Sequence, residues 1–323
     1  MSGLIKSPRV ASPTAPTGPG EPRQGVPLTD SAIAALVTLL ERESKAENLV
    51  IIRSHLEDLG ETALPWLDAA ASTEDGCVAA ADMARCIRRR VLDHEWDRWV
   101  ADPEAALETG AILIDRFGDP GVAPDAVGRH LDDLAAGLGR RLPGAPDTAE
   151  TIERLNEFLF SELGFRGNTE SYDDPDNSYL SKVLDRRVGI PVSLSVVVLL
   201  LAKRLHLPIV GIGMPGHFLL RYGADPSGPY LDPFGNGRVL SREECIAWLR
   251  ASGFTFAPGM LHPVGPRYIV ARMLRNLVAV FTKRGASSEV DILARYLKRV
   301  IAAPESVTGT PSESLSETDS ESA

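Results

Sequence analysis

The chain has 323 residues, 44% of them apolar, enough for one large or two modest domains. Its 34 basic against 44 acidic side chains give a net charge of −10, which argues against a binder that neutralises nucleic-acid phosphates. Three cysteines, Cys77, Cys86 and Cys245, have no metal-ligand spacing and suit free thiols in a reducing cytoplasm better than a secreted disulfide framework.

Residues 1–26 are rich in Pro, Gly and Ser and hold no apolar stretch of signal-peptide type, so they are expected to be a disordered tail. Residues 27–148 read as a helical N-terminal domain. Ser31 can cap a first helix with Ile33, Leu36, Val37 and Leu40 on one face. A second runs through Leu49, Ile52, Leu56 and Leu59 to a stop at Gly60. Residues 79–91, 103–117 and 125–142 read as three more. His94-Glu95-Trp96 has no partner motif and is a weak metal signal; His55 and His130 read as helix-surface residues.

Residues 149–263 change period. A helix over 153–163 ends near Gly164, and a polar, turn-rich stretch follows through Asn168, Asp174, Pro175 and Asn177. A short helix through Leu180, Val183 and Leu184 reaches Arg186-Arg187. Pro191 then opens a strongly apolar helix ending near Leu205, with proline in the first-turn position it tolerates best. Its apolar run, 192–202, is shorter than the ~20 residues needed to span a bilayer. Residues 207–212, 218–222 and 230–231 read as strands, the last two joined by a turn over 223–228. Residues 264–303 form a C-terminal helical pair, and 304–323 an acidic tail with Glu305, Glu313, Glu317, Asp319 and Glu321 and no Lys or Arg, expected to be disordered.

Gly211-Ile212-Gly213-Met214-Pro215-Gly216 spells a dinucleotide-binding fingerprint, but strand rather than helix follows it, so no helix N-terminus is there to hold a pyrophosphate. His217 and Asp232 are more informative. With the turn centred near Asp225, Leu219 pairs with Asp232, or His217 does after a two-residue slip; either register leaves His217 and Asp232 on one face. A carboxylate that orients an imidazole is the general-base half of a nucleophilic triad; a strand-end His and a turn Asp is the plainer alternative. A nucleophile belongs at the start of the Pro191 helix, where the dipole favours an anion. No Cys stands there; Ser193 and Ser195 do, as candidates or as mere caps. Asn168, Tyr172, Asn177, Tyr179 and Arg187 are expected to line the cleft, unless they only hold its loop.

Leu155-Asn156-x-x-Leu159-Phe160, Gly164-Phe165-x-Gly167-Asn168, Asp174-Pro175-x-Asn177-Ser178-Tyr179-Leu180, Arg186-Arg187-x-Gly189-Ile190-Pro191, Pro215-Gly216-His217-Phe218-Leu219 and Asp232-Pro233-Phe234 follow in the order of the SirB-type family of the transglutaminase-like superfamily, which the chain resembles over about 28–301. Arg272-Met273-Leu274-Arg275-Asn276-Leu277 is similar to the start of that family's tetratricopeptide-like tail, here one helical pair. The resemblance implies an α+β, papain-like core, a helix packed on antiparallel sheet, behind the N-terminal helices. It also implies His217 and Asp232 as the last two members of a Cys-His-Asp triad whose Cys position falls at or near Pro191. Three functions follow as expectations. The first is a non-catalytic cytoplasmic binding or regulatory protein, with an unknown protein or peptide partner and neither nucleic acid nor membrane. The others are a Ser-His-Asp hydrolase or acyltransferase, and a structural module with a filled cleft. No cofactor and no metal is expected.

Overall fold

The computed structural model describes residues 29–73, 76–142, 144 and 147–303, so the expected tails at 1–26 and 304–323 lie outside the described residues. The chain divides into two compact units, Met1–Ile87 and Arg88–Ala323, well before the change of texture expected at 148/149. In the first unit, α1 (Asp30–Arg42), α2 (Ala46–Leu59) and α3 (Leu64–Ala71) precede α4 (Val78–Ala101), inside which the division falls. Thr29, not Ser31, caps α1: its hydroxyl accepts the Ala32 amide three residues on, the geometry an N-cap requires. Ile33, Val37 and Leu40 are buried, and α2 ends at Gly60 with φ of +56°, a conformation glycine adopts without steric cost.

In the second unit the helices are α5 (Leu107–Gly118), α6 (Pro124–Gly139), α7 (Thr148–Asn156), α8 (Leu180–Arg186), α9 (Pro191–Arg204), α10 (Arg242–Ala251), α11 (Pro266–Lys283) and α12 (Ser287–Ala302). A short parallel pair joins β1 (Arg166–Gly167) to β2 (Val188–Gly189). The main sheet is antiparallel, ordered β6 (Arg238–Leu240), β5 (Tyr230–Asp232), β4 (Leu219–Tyr222), β3 (Ile209–Ile212), β7 (Pro263–Val264). The architecture is α+β, a helix on antiparallel sheet. Helices α5 and α6 join this unit because Ala111, Ile114, Val127, Leu131 and Leu138 bury in the same cluster as α9.

Helix α9 is apolar all round, the pattern of a helix buried on every side. All but three of its residues are buried, among them four valines whose modest helix propensity is outweighed by ~1.5–3 kcal/mol from each buried side chain. The sheet presents one face to α9 through Ile209, Phe218, Leu220 and Leu231. Its other face, with Ile212, Leu219, Tyr230 and Leu240, is covered by Cys245 and Leu249 of α10. Neighbours in sequence go to opposite faces, as a pleated strand requires.

One buried acid stands out in this packing. Asp115 of α5 is 1% exposed; its Oδ2 accepts the Ser181 amide at 2.7 Å, while Oδ1 has no partner. Burial pushes its carboxyl up to about 7 against the opposing pull of the Ser181 bonds. A raised folded-state value means that folding holds a proton the unfolded chain has released. Stability from this group is therefore complete below about 3.8 and is lost as pH rises to about 7. Asp115→Asn, which keeps an acceptor for the Ser181 amide, is expected to gain stability on the wild type between pH 5 and pH 8 in urea titrations. An unchanged difference across that range would show that Asp115 is ionised throughout.

Candidate functional site

The hairpin register pairs Leu220 with Leu231 and Arg221 with Tyr230, which sets Leu219 opposite Asp232 and His217 on the diagonal, the first of the two registers expected. His217 Nε2 lies 3.0 Å from Asp232 Oδ1, with the side chains 13% and 8% exposed. Alternation along β5 turns Leu231 to the α9 side and Asp232, with Tyr230, to the α10 side. Trp248 of α10 lies against His217, ring centroids 5.4 Å apart. Phe234 closes on the imidazole edge-on at 6.3 Å, and Tyr172 meets Phe234 edge-on at 6.1 Å.

The loop before His217 is held by close packing. A Cβ on Gly213 would stand 2.3 Å from the Tyr268 ring, and Gly216 has a φ of +71° that only glycine adopts without strain. The acid is equally well held. Asp232 Oδ1 also accepts the Gly235 amide at 3.1 Å, and Arg238 comes within 3.8 Å of Oδ2. Burial pushes the Asp232 carboxyl up, but the hydrogen bond and charge of His217, with the Gly235 amide, more than offset it and hold it below its ordinary value.

The serines of α9 stand elsewhere. Ser193 Oγ accepts the Ile190 amide at 3.0 Å and donates to the Asn177 carbonyl at 2.5 Å, so it ties the helix start to the preceding loop. Ser195 Oγ is buried with no partner. Neither hydroxyl bonds to His217. Pro191 is the first helical residue and is buried. Cys245 is fully buried on α10, and burial first of all pushes its thiol up to about 12, far from a thiolate.

The five expected cleft residues separate. Asn168 and Asn177 bond to each other at 3.0 Å, and Asn177 donates to the Ser171 and Tyr172 carbonyls, so this pair braces the loop. Only Tyr172, through Phe234, reaches the dyad. Tyr179 is buried against Gly118, where an added Cβ would strike its ring, and the Arg187 guanidinium caps the Leu163 carbonyl. Sequence reasoning passed over Trp248, which carries no local motif, and Phe234, which stands within Asp232-Pro233-Phe234. His130, read as a surface residue, is half-buried and lines a cavity between α6 and α8.

With this geometry in hand, the family model described as transglutaminase-like superfamily matches residues 125–275, which hold α9, the sheet and the dyad. A UPF0162 protein of Pseudomonas aeruginosa is 32% identical over 191 residues, covering 58% of this chain and 68% of that protein. The chain belongs to the transglutaminase-like superfamily. A UPF0162 protein of Xylella fastidiosa is 39% identical over 153 residues, 46% of this chain and 53% of that protein, so the chain spans about half the length of this relative. F-box only protein 21 of Homo sapiens is 30% identical over 231 residues, 62% of this chain and 36% of that protein. No solved structure matches.

Two measurements probe this transglutaminase-like site. His217→Ala should raise the Asp232 carboxyl pKa, because burial then acts without its main counterweight, and should cost about 1–3 kcal/mol at neutral pH. Carbon-detected titration of the carboxyl reads the shift, and an unmoved value would break the proposed coupling. Ser193→Ala should destabilise by about 1–2 kcal/mol through the lost cap, whereas Ser195→Ala, which removes an orphaned hydroxyl, should leave stability unchanged or raise it.

Proposed function

We propose that the protein is a SirB-type binding or regulatory protein that keeps the His217–Asp232 pair of a transglutaminase-like site without a nucleophile to serve it. The observation that supports this reading is the helix start. Pro191 stands at or near the position where the family's cysteine falls, and the only hydroxyl in the first turn, Ser193, is spent on the Ile190 amide and the Asn177 carbonyl. Thiolate chemistry needs a Cys of lowered pKa beside a cation or a helix N-terminus, and serine chemistry needs a base within about 3 Å of the hydroxyl. The reading takes the dyad and its aromatic neighbours as a recognition surface for a protein or peptide segment in a reducing cytoplasm, in keeping with three free cysteines. No described helix is long and apolar enough to cross a membrane.

A second reading, a structural module with a filled cleft, draws on the low exposure of the pair, with Trp248 and Phe234 against the imidazole. In that case His217 serves only to satisfy Asp232.

The test exposes the purified chain to a serine-directed phosphonate and, separately, to a thiol alkylator, while hydrolysis of generic esters and amides is followed. No labelling of Ser193 or Ser195 and no alkylation-sensitive turnover is the expected result. Phosphonate labelling at either serine that disappears in His217→Ala would establish the Ser-His-Asp reading instead. Activity lost on mutating Cys77, Cys86 or Cys245 would overturn both.

A further inference from the structure

Away from the dyad, a cavity of about 290 Å³ opens between the end of α5, the first turns of α6 and the short helix α8. This is at the small end of the range for ligand pockets, ~300–1,000 Å³, and suits a molecule of amino-acid size rather than a nucleotide. Its apolar part is formed by Val122, Val127 and Leu184.

The charged groups around it are divided by sign. Lys182 lines the cavity half-buried and forms no ion pair among the described residues, in a chain whose acidic side chains outnumber its basic ones. Asp119 and Asp185 stand exposed at the rim. Asp185 approaches His130 no closer than 3.9 Å, and one oxygen of Asp119 takes the Gly121 amide. Behind Ser181, which lines the cavity beside Lys182, lies Asp115 with its orphaned Oδ1.

A cation with no ion pair among the described residues, two rim carboxylates and an apolar floor make a set of complementary charges for a zwitterion. We propose that this cavity binds a free aliphatic α-amino acid. Its carboxylate meets Lys182, its ammonium meets Asp119 and Asp185, and its side chain covers Val122, Val127 and Leu184. None of these residues belongs to the His217–Asp232 site, so the assignment stands or falls separately from the proposed function.

The experiment titrates the full chain with L-leucine by amide NMR. It compares 4-methylpentanoate, which lacks the ammonium, and 3-methylbutylamine, which lacks the carboxylate. Saturable leucine binding with a Kd of about a few millimolar is expected, well short of the ceiling for a ligand of this size because the cavity is small and its rim carboxylates stand in water. Resonances of α6 and α8 should move, and both analogues should bind at least about fivefold more weakly. Lys182→Gln should weaken leucine about tenfold or more, and Asp185→Asn should reduce its advantage over 4-methylpentanoate. Ala126→Phe, at an exposed position on the cavity wall, should block binding by filling the space, which keeps the test intact if Lys182→Gln fails to fold. His217→Ala should leave leucine binding unchanged. No saturation by about 50 mM, some tenfold beyond the expected Kd, would overturn the proposal. So would binding that survives both Lys182→Gln and Ala126→Phe, or an analogue that binds as well as leucine.

Discussion

The near-complete burial of α9 is the constraint on which the second unit depends. A helix apolar on every face has no side to give to water, so its neighbours must close around it. The α9 side of the sheet, α5, α6, α8 and α11 do so, and their inward residues form one cluster with it. Each buried Val or Leu contributes ~1.5–3 kcal/mol, so the helix tolerates one orphaned hydroxyl, Ser195, whose desolvation costs about 1–3 kcal/mol. The same burial decides the chemistry at the helix start. Proline there brings no N–H, and the next polar side chain, Ser193, closes the gap to the loop through Asn177. Sealing the helix and arming it with a free nucleophile are competing demands on the same few atoms.

The dyad is held by forces that do not require catalysis. Asp232 is almost wholly buried, and without His217 its charge would keep only the Gly235 amide and the more distant Arg238 as counterweights. An imidazole at 3.0 Å is thus favoured whether or not a reaction uses it. The imidazole's own position comes from the packing of Tyr268 on Gly213, the left-handed turn at Gly216 and the rings of Trp248 and Phe234. A His–Asp pair alone is therefore weak evidence for an active enzyme. The group that faces the imidazole carries the distinction, and here Nε2 is taken by Asp232 while neither α9 serine answers Nδ1.

Much of this was legible in the sequence, for physical reasons that differ by element. The Pro191 helix announced itself because an unbroken apolar run after a proline has few other solutions. The β4–β5 register was readable only to within a two-residue slip of the short polar turn, but period two puts His217 and Asp232 on one face in either case. Strands β6 and β7, three and two residues long, carry too little pattern to find, and both lie at sheet edges where pairing rather than sequence defines them. The division at Ile87 was not legible because an amphipathic helix shows that it has an apolar face, not what that face meets. Tyr179 and Arg187 looked like cleft residues because they flank the motif-rich loop, yet one turns into the core and the other caps a carbonyl. Trp248 was invisible since its role arises only when α10 folds back over the sheet.

The buried polar side chains show what this fold spends its specificity on. Asn177, Ser178 and Ser193 lie within a few residues of α8 or the start of α9, and Asp115 of α5 packs against α8, each essentially excluded from water. Asp115 receives the amide at the start of α8, Asn177 braces the turn before it, and Ser193 joins that turn to α9. In a low-dielectric interior such bonds add modest net stability, while a mispaired alternative leaves a donor or acceptor stranded. The buried face of Leu180, Val183 and Leu184 and these polar contacts together set one rotation of α8 about its axis. That one rotation sets Lys182 and Asp185 at the cavity mouth. The same braced loop also carries Tyr172 to Phe234 beside His217. A short helix and the loop before it thus share one polar root, the helix carrying residues of the cavity and the loop the tyrosine that reaches the dyad through Phe234.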